Sequence, residues 1–483
     1  MNKHNEPKQF SLITNLFWKF LERGGTSGIS FIMQLVLARL LIPSDYGIVA
    51  LVFVFISVAS IFVQGGIGTS LIQKKEIDNS DITSIFYLSL LISIVLYLLL
   101  YFSAPYIADI YSNPILIKVI RVLSTSLIIG SLTTVQTAIL SRRMQFKVIF
   151  ICNTSATILS GIIGIVLAYL GFGVWALVYQ QLVRRLAMTI ILAFPAKIKF
   201  TKNVSLSKVK VLYSFGWKLM VANFISTIYA NLRGLIIAKK FSAETLGFYD
   251  KGANFPYFIT SNISSTIQTV LLPALALNQD TPLKIKSMTQ RAIITTSFFI
   301  FPIMGGLIAI SEPIVLLILT EKWLPAVPFI KILSISYALT PIIEANLQSY
   351  NAIGRSDSFL KVEIINRGVG IIILTISLFF GIYGIIIGEV IGEFFALTVV
   401  MITSSILINY EVRQQFTDIL PHLLLTIVMV MVIYPISLLN ISLVLIITLQ
   451  TIAGAIFYFG VAWLLKLESL SYLIGILKDL KSN

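Results

Sequence analysis

The sequence predicts an all-α polytopic membrane protein, and three observations predict it. Of 483 residues 57% are hydrophobic and only 12% charged, with a mean hydropathy of +0.93; soluble domains carry about 25% charged residues. Windows such as Ile85 to Phe102 and Leu423 to Leu439 hold no charge at all, as ~20 residues crossing a ~30 Å hydrocarbon core require. These windows lack the polar and apolar alternation of a barrel strand, so the backbone must satisfy its hydrogen bonds inside helices.

Hydrophobic blocks bounded by turn signals give about 14 transmembrane helices, near 15–41, 47–68, 82–103, 116–140, 148–170, 173–194, 214–238, 252–275, 288–310, 326–350, 362–380, 383–408, 419–438 and 441–465. An even count puts both termini on one side. Twenty-one Lys and Arg residues fall in the tails and loops of that side or, as Arg291 does, within a turn of them, among them Lys74, Arg142, Arg143, Lys197, Lys208 and Lys284. Only Lys239, Lys240, Lys251 and Lys322 fall in the opposite loops, so both termini are expected to be cytoplasmic. The net charge of +15 is then topology plus attraction to anionic membrane lipids, and calls for no nucleic acid. The polar N-terminus is followed by no short apolar core with a small-residue cleavage site, so the first span is expected to stay. The single cysteine, Cys152, sits in a hydrophobic run and reads as structural. His4 and His422 are the only histidines, and Walker, nucleophile-elbow and dinucleotide fingerprints are missing, so neither a metal nor a cofactor is expected.

An internal repeat sets the architecture. Trp18-Lys19 recurs as Trp217-Lys218, Leu37-Ala38-Arg39 as Ile237-Ala238-Lys239, and Tyr46-Gly47 as Leu246-Gly247, at spacings of 199 or 200. Ile117-Lys118 matches Ile330-Lys331, Gln145-Phe146-Lys147 lines up with Phe359-Leu360-Lys361, and Gly171-Phe172-Gly173 resembles Gly381-Ile382-Tyr383-Gly384. Two six-helix lobes are expected, 1–195 and 213–410, joined by a basic cytoplasmic linker at 196–212 and followed by two additional helices and a tail at 411–483. Because six is even, both lobes enter the membrane in the same direction, and their pseudo-twofold runs along the membrane normal.

The run Ala38-Arg39-Leu40-Leu41-Ile42-Pro43-Ser44-Asp45-Tyr46-Gly47, with Gly66-Ile67-Gly68-Thr69-Ser70-Leu71-Ile72-Gln73-Lys74, Ser141-Arg142-Arg143-Met144-Gln145-Phe146 and Gly171-Phe172-Gly173-Val174-Trp175-Ala176-Leu177-Val178, resembles the polysaccharide transporter family of Wzx-type flippases, nearest to its colanic acid exporter-like branch. That family belongs to a superfamily with the multidrug MATE exporters and the lipid II flippase. The resemblance implies a two-lobed, V-shaped bundle in the bacterial cytoplasmic (inner) membrane. Such a bundle moves undecaprenyl-pyrophosphate-linked oligosaccharide from the cytoplasmic to the periplasmic leaflet by alternating access, for O-antigen, capsule or exopolysaccharide biosynthesis. It also implies contact with polysaccharide polymerase machinery. The rival within the class is a MATE-like, cation-coupled drug exporter; the rival outside it is a membrane glycan polymerase or ligase, against which the short outer loops argue.

In the first span Lys19, Glu22, Arg23, Thr26, Ser30 and the Met33-Gln34 pair recur every three or four residues and form one polar stripe. Charge at membrane depth persists where it faces a bundle interior or a wet cavity, so the span reads as a cavity wall. Its repeat partner carries Lys218, Asn223, Ser226, Tyr229 and Arg233. Basic walls suit a lipid-linked oligosaccharide diphosphate, because guanidinium groups grip phosphate oxygens in a fork. The substrate-binding candidates are Arg23, Arg233, Lys218, Lys19, Glu22 and Arg39. Lys19 could equally snorkel or pair with Glu22, Arg23 could be neutralised by an acid from another span, and Arg39 could pair with Asp45. Glu344, Glu389 and Glu393 are candidates for a coupling ion, with H+, Na+ and the membrane potential all open as drivers. Glu363 and Arg367 read as a mutual i, i+4 pair, and Gly384, Gly388 and Gly392 as a close-packing ridge. Lys118, Arg121 and Lys331 are expected to snorkel at outer helix ends, and Arg184 and Arg185 to meet lipid headgroups near the cytoplasmic end.

Overall fold

The computed structural model describes residues 9–64, 71, 77–198, 200–201, 206–279, 281–467 and 469–470, and their side chains except those of 9–23, 206–216 and 218–219. Among the described residues every regular element is helical, and eleven helical stretches are long and apolar enough to cross a membrane. The protein is a multi-pass membrane protein.

The helices follow one another as α1 (Gln9–Leu40), α2 (Pro43–Gln64), α3 (Asn79–Ile110), α4 (Ile115–Leu123), α5 (Thr125–Arg142), α6 (Phe146–Tyr169), α7 (Val174–Ala196), α8 (Leu206–Lys240), α9 (Ala243–Ala276), α10 (Pro282–Ile314), α11 (Val327–Ala352), α12 (Ser356–Ser377), α13 (Gly381–Ile408), α14 (Val412–Ile433) and α15 (Leu443–Leu464). Local chemistry fixes several ends. Asp78 starts α3 with a reciprocal cap: its carboxylate accepts from the Asp81 amide at 2.7 Å, and the Asp81 carboxylate accepts from the Asp78 amide at 3.2 Å. Gly171 and Gly173 turn the chain from α6 into α7 with φ of +82° and +53°, a region side chains avoid. Asn409 ends α13 in the left-handed region, which asparagine tolerates.

One difference from the sequence reading concerns helix continuity. The span expected at 116–140 is broken at Ser124 into α4 and α5. The connection between α10 and α11 is a π-helical turn, Val315–Leu319, and a 3-10 turn, Glu321–Ala326.

The chain divides into two compact units, residues 1–250 and 251–483. In the first, α1 packs along α6. Thr26 and Thr154 hydroxyls meet at 3.2 Å, and the Met33 side chain fills the space above Gly161, where a Cβ would sit 2.8 Å from its Cγ and Sδ. Gly164 makes the same kind of room for Gln180 of α7. The hydroxyls of Thr133 and Thr189 tie α5 to α7 at 2.5 Å, and Gln136 donates to the Thr189 carbonyl at 3.1 Å. Cys152 is buried with Leu140, Ile149 and Leu192, as its sequence setting predicts. The motif arginines at the end of α5 serve the backbone: Arg142 donates to the Leu71 carbonyl and Arg143 to that of Ala196, the last residue of α7, each at 3.2 Å. A cation there also complements the helix dipole.

In the second unit, α11 and α13 are joined by a buried polar chain. Ser404 donates to Asn346 Oδ1 at 2.6 Å, and Tyr350 donates to the Val400 carbonyl at 2.5 Å with its hydroxyl 2.9 Å from Ser404 Oγ. Asp418 Oδ2 accepts from Tyr410 at 2.6 Å and from Gln290 at 2.9 Å, which fastens α14 to α10. Burial, reinforced by the hydrogen bond and the charge of Asp418, holds the Tyr410 phenol far above its usual range. Phe298, Leu425, Met429 and Tyr458 form the apolar seam that adds α14 and α15 to this unit. Gly388 brings α13 onto α12, where a Cβ would lie 3.0 Å from that of Ser377, and Gly384 sits against Phe380; Gly392 faces open space. The expected glycine ridge is therefore real over its first two members.

Candidate functional site

The side chains of Lys19, Glu22, Arg23 and Lys218 lie outside the described residues. The described continuation of the α1 stripe meets other helices. Thr26 bonds Thr154, Met33 caps Gly161, and Gln34 donates to Gln180 Oε1 at 3.4 Å. Over these three residues the stripe is interhelical packing, because small and polar side chains on α6 and α7 receive it.

Arg39 is exposed in the last turn of α1. Nearby, Asp45 accepts from the Ile42 amide at 3.4 Å. Arg233 is half-buried on α8, which is anchored within the first unit by the Phe62–Phe224 edge contact at 5.3 Å and by Lys239 donating to the Ile110 carbonyl. Where α2 and α9 begin, Gly47 and Gly247 let the backbones touch.

The acidic candidates all lie in the second unit. Glu344 on α11 is half-buried and accepts from Gln268 of α9 at 3.0 Å. Glu389 and Glu393 are half-buried one turn apart on α13. Glu363 and Arg367 form the predicted pair at 2.6 Å. A cavity of about 520 Å³ in the same unit is lined by apolar side chains of α10, α11, α13 and α14, including Phe301, Met304, Leu397 and Leu423. Among the described residues no cluster of three or more His, Cys, Asp or Glu is arranged to hold a metal.

Three basic residues expected to snorkel or bind lipid are corrected by the geometry. Arg121 lies 4.2 Å over the Tyr101 ring and donates to the Tyr101 carbonyl at 3.3 Å, so α3 holds it. Arg184 and Arg185 are the eleventh and twelfth residues of the 23 in α7, at its midpoint rather than near one end. The apolar exposed residues of α7 are Tyr179, Leu186, Ile190 and Phe194, which share one stripe. At 100° per residue the two arginines lie on the other side. Arg184 is one turn from buried Gln180 and Ala187, and Arg185 is one turn from Thr189, which bonds α5. The signal for them in the sequence is their depth: in the expected span 173–194 they are already the twelfth and thirteenth of 22 residues.

The family described as "Polysaccharide biosynthesis protein" matches residues 36–328. The succinoglycan biosynthesis transport protein ExoT of Rhizobium meliloti is 26% identical over 68% of this chain and 66% of its own length, just under two thirds. The lipopolysaccharide biosynthesis protein WzxC of Escherichia coli is 24% identical over 70% of this chain and 76% of its own. Among solved structures, the lipid II flippase MurJ in an inward closed conformation superposes with a TM-score of 0.74 at 16% identity, covering 92% of this chain and 97% of that one. An inward-facing MATE multidrug transporter gives 0.62 at 17% identity over 82% and 98%. At these identities the superpositions speak for the fold alone. With the family match covering more than half of its length, this chain belongs to the polysaccharide biosynthesis protein family.

Proposed function

We propose that this protein flips undecaprenyl-pyrophosphate-linked oligosaccharide from the cytoplasmic to the periplasmic leaflet of a bacterial inner membrane by alternating access, for surface polysaccharide assembly. The observation that carries the reading is the family match over residues 36–328 on a fold that superposes with a lipid flippase along nearly its whole length. A relative named as a biosynthesis transport protein, ExoT, supports transport over glycan polymerisation or ligation. The stretch 356–408 is 53 residues long and contains both α12 and α13, too long for one crossing of a ~30 Å core at ~1.5 Å per residue. Counted as two, with α1 and α9 added, the spans come to fourteen, and both termini are cytoplasmic.

In this scheme Arg23, Arg233, Lys218 and Lys19 bind the substrate diphosphate, with Glu22 and Arg39 shaping the site. Glu344, Glu389 or Glu393 takes up a coupling ion. The polymerase machinery receives the flipped product. The test is a proteoliposome assay of fluorescent lipid-diphosphate-oligosaccharide. Purified protein should make the inner-leaflet pool accessible to an external quencher faster than empty vesicles do, and Arg233→Ala should abolish the gain at normal abundance. Equal rates with and without protein, across imposed pH, Na+ and voltage gradients, would sink the reading.

A further inference from the structure

Among the described residues, Arg184 and Arg185 are adjacent charges set at the middle of a membrane-length helix. They lie roughly 15 Å from either end of α7 at ~1.5 Å per residue, beyond the distance over which a side chain can snorkel to an interface. Other arginines of the first unit have visible work: Arg121 lies on Tyr101, Arg142 on the Leu71 carbonyl, and Arg143 on the Ala196 carbonyl. Among the described residues, neither the Arg184 nor the Arg185 side chain has a hydrogen bond or an ion pair, and the Arg185 carbonyl is engaged by the Thr189 hydroxyl. Two adjacent cations repel, and at bilayer depth each costs about 2.5–3.5 kcal/mol even on insertion scales. Yet Arg184 is only half-buried and Arg185 is exposed, on the side of α7 away from its lipid-exposed stripe. Polar contacts reach that face one turn to either side: Gln180 accepts from Gln34 of α1, and Thr189 meets Thr133 of α5.

We propose that Arg184 and Arg185 form a mid-membrane anion subsite that takes the diphosphate of the transported lipid-linked substrate. A diphosphate carries at least two negative charges and several acceptor oxygens, which two guanidinium forks match, whereas a single carboxylate would leave one cation unbalanced. The identity of the ligand rests on the flippase reading; the existence of the anion site does not.

The test uses the full-length protein in detergent with inorganic pyrophosphate as the probe, read by calorimetry at low ionic strength. Wild type should bind saturably and lose affinity as salt rises. Arg184→Gln/Arg185→Gln should weaken binding by about tenfold or more, and the Lys/Lys variant by less, since charge survives without the fork. Arg413→Gln, an exposed arginine of α14, should leave it unchanged. Near-native thermal unfolding of the Lys/Lys variant guards against a folding artefact. Absent binding in wild type, or unchanged binding in the Gln/Gln variant, overturns the proposal. So does competition by phosphatidylglycerol nanodiscs over phosphatidylcholine ones, which would make the bilayer's own phosphates the ligand. Arginine-dependent pyrophosphate binding without any flipping of lipid-linked oligosaccharide upholds the site and removes the proposed function. Flipping without arginine-dependent binding does the reverse.

Discussion

Gly47 and Gly247 face each other across a backbone contact that leaves no room for a side chain. A Cβ on Gly47 would overlap the Ala243 carbonyl and lie 3.0 Å from the Gly247 nitrogen. A Cβ on Gly247 would overlap the Pro43 carbonyl and lie 3.2 Å from the Gly47 nitrogen. The contact is reciprocal at a constant offset: 247 − 47 and 243 − 43 are both 200, the spacing of the repeat read from the sequence. It joins the first turns of α2 and α9, so the obstacle to a larger residue is backbone, which yields less readily than a side chain tip.

Gly47→Ala and Gly247→Ala should therefore each destabilise the protein by about 1–3 kcal/mol, the usual range for overpacking. Gly28→Ala in α1 is the contrast, because a Cβ there meets nothing within 4 Å. It should be neutral or stabilising, since alanine is the better helix former by about 1 kcal/mol. Thermal unfolding in detergent checks the order of the three variants. Equal midpoints for all would mean that the α2–α9 contact bears no strain.

The α1–α6 seam offers a compensation test. Gly161→Ala should cost about 1 kcal/mol, because its Cβ would fall 2.8 Å from Met33 Cγ and Sδ. The thioether chain is flexible and lies at the surface of the contact. Met33→Ala should consequently be better tolerated in the Gly161→Ala background than in wild type, and a double-mutant cycle on unfolding midpoints measures that coupling.

Much of the fold was legible because charge is scarce: with 12% charged residues, each cluster marks a loop, a pair or a buried site. Glu363 with Arg367, the Gly384 and Gly388 ridge and the Gly171–Gly173 turn were all readable, since each is set by spacing within one or two turns of chain. What spacing leaves out is the neighbour. The α1 stripe is visible from its period, but Thr154, Gly161 and Gln180 come from helices 128 to 146 residues away, and they turn a face fit for water into a packed seam. Depth, by contrast, was legible. Arg184 and Arg185 fall at the middle of the expected span 173–194 as they do in α7, even with boundaries blurred by about 2–4 residues, and a lipid-headgroup role does not fit that depth.

The buried chain between α11 and α13 should behave as one unit. Ser404→Ala removes the donor to Asn346 Oδ1 and leaves that oxygen buried without it, at a cost of about 1–3 kcal/mol. Asn346→Leu added to Ser404→Ala should cost less than the two single changes together, as an unsatisfied acceptor is no longer present. Additive losses in denaturation experiments would mean that the two side chains contribute independently.

Topology supplies the prediction with the widest consequence, because direction of transport depends on it. The native Cys152 is buried, so background labelling should be low. Cysteines introduced at Ser205, in the basic linker, and at Ser482, near the C-terminus, should resist a membrane-impermeant thiol reagent in intact spheroplasts and react after permeabilisation. A cysteine at Ser112, exposed in the turn between α3 and α4, should react in both. The asymmetry of twenty-one basic residues against four drives this expectation. Each loop lysine held on the cytoplasmic side resists translocation, and the pattern is consistent from Lys74 to Lys466. Labelling of Ser205→Cys in intact cells with protection of Ser112→Cys would invert the orientation, and the diphosphate would then have to enter from the outer leaflet.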